Sequence, residues 1–351
     1  MLLMKHYIGL DAHSASCTFV VVDENGNVTH RSVVKTSEAT LLGFLSTLPG
    51  EKILTYEESH VSQWLYVLLN DKVDRLVVCN AVYLSKKQGP KTDYRDALHL
   101  AQELRGNFLK PVYHDESHWI QLRVLVNGYL DLVSEIVRAK NRLKAVFRSE
   151  AIDTSDYKFY SQKERISELS HEHGRFVAEK LFLQIEHLDH RKAEFKAVFQ
   201  RNSKTYRQLK NLATIPGIDV IRANIIMAVV CMPHRFKNRY RFYAYCMLVR
   251  YIQISDGRIY GNKRIRARHD LKAVFMGAAE SAIKVDGSLK NYYESRRKSG
   301  VDARGAKIAV ARRIAATTLS ILKNNGKFDE LYHEAKAERT KLRKTLNEVS
   351  I

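Results

Sequence analysis

Between residues 6 and 80, short runs of β-branched and apolar residues alternate with runs whose apolar positions recur every three or four residues. HYIGLD (6–11) reads as a buried strand, SCTFVVVD (16–23) as a second, and VTHRSVVK (28–35) as a third after the turn ENGN, so these three form an antiparallel meander. Ser37 and Glu38 open a helix that runs to Leu48. KILTYE (52–57) and DRLVVCN (74–80) are strands, and VSQWLYVLLN (61–70) between them is helical by the spacing of Trp64, Leu65 and Leu68. Three hairpin strands followed by strand, helix, strand and helix predict a mixed α/β sheet of ribonuclease-H type. A doubly wound sheet is the alternative, although no glycine-rich phosphate loop follows the first strand.

From about residue 117 the period changes. Leu122, Leu125, Val126, Tyr129, Leu132, Val133, Ile136 and Val137 repeat at three and four, with Glu135, Arg138, Lys140 and Arg142 between them. The pattern predicts a long amphipathic helix suited to coiled-coil pairing. Residues 150–168 are polar and broken, as in a linker, and a second long helix follows over 172–200, marked by Phe176, Leu181, Ile185, Leu188, Phe195 and Phe199. A helical hairpin within one chain and pairing between chains are both compatible with this pattern. The last third is predicted to be all helical. LATIPGIDVIRANIIMAVV (212–230) reads as helix, Pro-Gly hairpin, helix, and the second helix's first N–H groups can offer a phosphate site; a plain helix-turn-helix core is the simpler reading.

Charge adds a partner to this picture. The 351 residues, enough for two or three domains, are 45% hydrophobic and carry a formal charge of +20. Such an excess points to a polyanion, most often nucleic acid, with ribosomal and membrane-surface proteins as competing classes. From Arg258 to Arg313 there are 15 Lys plus Arg against 5 Asp plus Glu, a net +10, with Tyr260, Tyr292 and Tyr293 among them as stacking surfaces. No apolar run is long enough to span a bilayer, and MLLMKHYIGLD is too short for a signal peptide, so a cytoplasmic protein is expected. Cys17, Cys79, Cys231 and Cys246 lack CxxC spacing and read as reduced, buried thiols. Trp64 and Trp119 read as core anchors.

Four carboxylates carry the candidate chemistry. Asp11 ends the first strand and Glu57 the fourth, and in a ribonuclease-H-like sheet those two strands are neighbours. Strand alternation favours Glu57 over Glu58. Asp93 and Asp96 stand one turn apart at a helix start in KTDYRDA, so they share a face. Four converging carboxylates repel unless divalent cations neutralise them, and oxygen ligands suit Mg²⁺ or Mn²⁺. Taken singly, each acid has a plain reading as a turn or capping residue. His13 and His60 follow two of these acids by two and three positions, where surface or packing roles compete with proton shuttling.

YIGLDAH, TYEES and KTDYRDA together, followed by LATIPGI, resemble the Asp-Glu-Asp-Asp (DEDD) transposases of bacterial insertion sequences, which are related to the pilin-gene inverting recombinases. The resemblance covers about residues 5–330, with KTDYRDA its most specific element. It implies a RuvC-like DEDD catalytic domain over 1–115, a helical coiled-coil region over 116–204, a helical transposase domain over 205–330 and a charged tail over 331–351. It implies a metal site made of Asp11, Glu57, Asp93 and Asp96, and a serine nucleophile in the C-terminal domain. The matching stretch is LVRYIQISDGRIYGNKR (248–264), where Ser255 corresponds, although Asp256 separates it from Gly257 and the family's upstream Gly and Pro are missing. Ser-Asp-Gly is also a turn signal in its own right, and Ser281 is a fallback. The resemblance further implies DNA and a structured noncoding guide RNA as partners, and homo-oligomers (dimer or tetramer) are expected. Lys86, Lys87, Lys91, Arg258, Lys263, Arg264, Arg266 and Arg268 are candidate nucleic-acid contacts. The expected function is cutting and rejoining DNA through a serine-phosphodiester intermediate. The alternatives are a metal-dependent junction endonuclease that uses water and a non-catalytic nucleic-acid-binding relative.

Overall fold

Strands β1 (Lys5–Ala12), β2 (Ser16–Val22) and β3 (Val28–Lys35) pair antiparallel in sequence order in a computed structural model, which describes residues 4–80, 82, 84, 90, 92–264 and 267–331. The turn after β2 closes because the Asp23 carboxylate accepts the N–H groups of Asn25 (2.9 Å) and Asn27 (2.8 Å). β4 (Glu51–Glu57) and β5 (Arg75–Cys79) join β1 in parallel, giving the order β3-β2-β1-β4-β5. This mixed order is the ribonuclease-H-like arrangement and excludes the doubly wound alternative, whose sheet would be parallel around β1.

The chain divides into two compact units, Met1–Ser117 and His118–Ile351. In the first, α1 (Glu38–Ser46) and α2 (Ser62–Leu69) cover one sheet face, where Ile8, Leu10, Phe19, Leu54 and Tyr56 meet Leu41, Leu45, Leu65 and Leu69. Trp64 is 42% exposed and is no core anchor. The buried stripe of α2 is Ser62, Leu65 and Leu69, and a residue next to Leu65 lies about 100° away from it around the helix. The other face of the sheet carries α3 (Asp93–Arg105). That helix sits directly on β1 at Gly9. A Cβ there would lie inside the Ala97 carbonyl oxygen and 2.7 Å from the Ala101 nitrogen, so only glycine allows this approach.

In the second unit, α4 (His118–Arg148) and α5 (Glu172–Thr205) form an antiparallel hairpin. Phe147 meets Phe182, Lys140 reaches Asp189 at 3.7 Å, and Tyr129 packs between Phe195 and Phe199. Residues 150–168 are not a linker. They form 3₁₀ turns whose Phe159 is fully buried edge-on to Phe147 at 5.0 Å, closing the end of the hairpin. Phe159, one of three aromatics in this polar run beside Tyr157 and Tyr160, did this, and no periodicity signals it. Trp119 is buried as expected, whereas Phe176 on α5 is 60% exposed.

The Pro-Gly hairpin joins α6 (Arg207–Leu212) to α7 (Val220–Val230). Gly217 has φ +86°, and a Cβ on it would strike the Ala278 carbonyl and lie 3.2 Å from the Ala278 Cα on α9 (His269–Ala282). The start of α7 is capped by Asp219, which accepts the Arg222 N–H at 2.7 Å and so takes one of the N–H groups that could be offered to a phosphate. The C-terminal region is mostly helical, not all-α. After α8 (Arg239–Tyr245), β6 (Arg250–Ser255) and β7 (Arg258–Arg264) form an antiparallel hairpin, before α9, α10 (Ser288–Lys298) and α11 (Ala303–Asn324). Asp256 and Gly257 take φ +50° and +69°, the two-residue turn that Asp-Gly favours between strand-forming Tyr251, Ile252, Ile254, Ile259 and Tyr260. All four cysteines are buried, and none is in a disulfide. Among the described residues no helix is long and apolar enough to cross a membrane.

Candidate active site

Asp11 and Asp93 meet His13 at the end of β1, and Asp96 is near enough to act on the Asp11 carboxyl. Strand alternation turns Gly9 and Asp11 toward α3, while Ile8 and Leu10 face the opposite core. Extending the β1–β4 register one step beyond Leu10 and Tyr56 sets Asp11 beside Glu57, which alternation also turns to the α3 face. Thr92 caps α3 by accepting the Arg95 N–H at 3.3 Å, and Asp93 and Asp96 occupy its first turn. Asp96 is buried, Asp11 and Glu57 are half-buried, and Asp93 is exposed. Because α3 rests on Gly9, its first turn lies over the end of β1. Ligand atoms of Asp11, His13 and Asp93 fall within 4.8 Å of one another. His13 Nε2 is 3.3 Å from Asp11 Oδ2 and 3.9 Å from Asp93 Oδ1.

Burial raises the Asp11 carboxyl above its ordinary value of 3.8; His13 opposes that shift, and the neighbouring Asp93 and Asp96 add to it. A raised carboxyl beside two more acids is a site short of positive charge. The carboxylate oxygens have the hard character that Mg²⁺ or Mn²⁺ requires, and the one imidazole is a borderline donor that suits Mn²⁺ better than Mg²⁺. Glu58 points elsewhere. Its Oε2 meets the buried His114 Nε2 at 2.6 Å, while His114 Nδ1 meets Gln63 Oε1 at 2.9 Å.

Ser255 lies in the second unit, at the end of β6, paired with Arg258 across the turn and exposed. Ser281 is built into α9, its hydroxyl donating to the Gly277 carbonyl at 3.1 Å. Arg258 and Lys263 are exposed on β7, and Arg264 ends that strand. Arg268 is held by Asp270 through Nε (3.1 Å) and Nη2 (2.5 Å), which makes it part of the α9 start. Lys86, Lys87, Lys91 and Arg266 lie outside the described residues. His60 is exposed.

Two family models match the chain. One, for the DEDD domain of IS110 transposases and described as "Transposase", matches residues 8–150 and so spans all four acids. The other, "Transposase IS116/IS110/IS902 family", matches residues 209–294 and spans the β6–β7 hairpin. The chain belongs to the IS110 family of bacterial insertion-sequence transposases. It is therefore an enzyme acting on DNA in transposition and recombination. No curated protein matches it. The DEDD domain implies use of a divalent metal, and the cluster on β1 and α3 offers donors of the right chemistry. Sequence reasoning undervalued His13 at this cluster. The available signal was its spacing, two residues beyond Asp11 and just past the strand end. Gly9 and the small residues Ala97 and Ala101, four apart on α3, were the unread signal for the close helix contact.

Proposed function

We propose that this transposase cuts and rejoins DNA through Ser255, with Asp11, Glu57, Asp93 and Asp96 holding Mg²⁺ (Mn²⁺ as an alternative) and a structured noncoding RNA choosing the DNA. The observation that carries the metal site is the cluster of Asp11, Asp93 and His13 at the strand end, with Asp96 electrostatically coupled to it and Glu57 on the adjacent strand. Bound cations would lower the pKa of an attacking hydroxyl and offset charge on the leaving oxygen. The chain's own residues do the rest. His13 holds Asp11 and Asp93 in place. The Ser255 oxygen bonds to a DNA phosphorus and gives up its proton, the phosphorus–O3′ bond breaks, and the departing O3′ takes a proton. The resulting phosphoserine ester keeps the bond energy for rejoining without ATP. The chemistry needs serine and acids at one phosphate, and a dimer or tetramer is a way to supply them. Exposed Val137, Phe176, Val177 and Leu183 on α4 and α5 support pairing between copies. The net charge of +20 supports an RNA partner bound through its backbone.

One observation favours a second reading. The turn alone explains Ser255-Asp256-Gly257, which suits a metal-dependent endonuclease that uses water. The two separate by trapping protein–DNA adducts on denaturing gels with element-end DNA and Mg²⁺. Serine chemistry predicts an adduct lost in both Ser255→Ala and Asp11→Asn. Cleavage that persists in Ser255→Ala without an adduct establishes the water reading. Sequencing the nucleic acid that co-purifies tests the guide: a defined RNA from DNA flanking the gene supports it, and random RNA rejects it.

A further inference from the structure

At the root of the β6–β7 hairpin lies a pocket of about 510 Å³, bounded by residues 247–250, α9 and the start of α11. Its walls divide by chemistry. Met247, Met276 and Ile308 give an apolar floor, while Arg250, Lys272, Arg304 and Arg312 bring four cations to the rim. Arg312 is fixed there by Nε–H donation to the Leu248 carbonyl at 2.8 Å. Among the described residues Asp302 is the single acid on the lining, and α11 uses it as a cap, accepting the N–H groups of Arg304 (2.9 Å) and Gly305 (3.0 Å). Like charges brought to one pocket repel and add nothing to the fold by themselves. Together with an apolar floor they fit a ligand that has an anionic group and a flat, weakly polar body. The volume is that of a single small-molecule site.

We infer that this pocket receives one nucleotide of the DNA, turned out of its stack, with its phosphate on the cationic rim and its base against Met247, Met276 and Ile308. The surface continues in the same chemistry. Tyr251 follows Arg250 along β6, is 55% exposed and pairs with Lys263 across the hairpin, so an aromatic face and a cation lead from the pocket toward the turn. An extruded nucleotide here would hold a distorted strand against the hairpin. The inference rests on the chain's action on DNA and not on the role of Ser255.

The test uses the full chain and two fluorescein-labelled DNA duplexes that differ by one unpaired thymidine, followed by anisotropy at several salt concentrations. The native protein is expected to prefer the bulged duplex by about tenfold or more, the worth of one stacked base. Filling the pocket with Met276→Trp, or independently with Ile308→Trp, removes that preference and leaves the paired duplex bound within about twofold, as expected for contacts outside the pocket. Arg304→Ala weakens bulged DNA and lowers the salt slope by about 0.7–0.9. 5-Iododeoxyuridine at the unpaired position crosslinks to the α9 peptide. Thermal melting confirms that each variant is folded. The inference fails if the native protein binds both duplexes equally, or if both folded tryptophan variants keep the preference. It fails also if the tryptophan variants weaken the two duplexes alike, which would mark a general phosphate surface. Ser255→Ala is expected to keep the preference whatever its effect on strand exchange.

Discussion

Asp11 is a charge the fold holds at a cost. Burial favours its protonated form, so the stability it contributes is full below its ordinary value of 3.8 and is lost as pH rises through the raised folded value. At neutral pH without metal, Asp11→Asn is therefore expected to raise the melting temperature, and at low pH the gap should close. Metal reverses the order. Mg²⁺ at a hundredfold excess over its Kd stabilises the native protein by about 2.7 kcal/mol, and the variant should gain far less. Calorimetry with and without Mg²⁺ at two pH values reads both effects. His13 lends itself to a finer test, because imidazole favours Mn²⁺ over Mg²⁺. His13→Ala should weaken Mn²⁺ binding more than Mg²⁺ binding, whereas Asp11→Asn weakens both; equal losses in His13→Ala would leave the imidazole outside the coordination shell.

Among the elements, α3 shows how a helix is aimed. Its acids reach β1 because Gly9 and Ala97 let the two backbones meet. Gly9→Ala should lift α3, cost about 1–3 kcal/mol as overpacking does, and lose the metal-induced rise in melting temperature with every acid still present. Retention of that rise would mean that the acids do not depend on this contact. Gly217→Ala tests the Pro-Gly hairpin in the same way. Both the positive φ and the Ala278 backbone oppose a side chain, so a loss of about 2 kcal/mol or more in denaturant unfolding is expected. Elements with a strong period were legible, as β1–β5, α4 and α5 were. The β6–β7 hairpin departs from the all-helical expectation, although Asp256-Gly257 between strand formers carries its signal. The buried turn at Phe159 carried no periodic signal, since one side chain finding a gap beside Phe147 is a through-space event.

For the whole molecule, charge sets the binding behaviour. With 15 cations against 5 acids between Arg258 and Arg313, affinity for duplex DNA should fall about 10³-fold or more between 50 and 200 mM salt if six or more phosphates are contacted. A shallow salt slope in anisotropy titrations would contradict that picture. The amino-acid sequence alone determined the strand pattern of the first unit, the long helices, the excess positive charge and the positions of the four acids, because alternation, period and composition are properties of neighbours along the chain. Only the tertiary structure decided that α3 rests on Gly9, that His13 joins Asp11 and Asp93, that Asp219 and Asp302 serve as caps, and that four cations ring one pocket. Those depend on distances between residues far apart in the chain, which are set by how backbones pack.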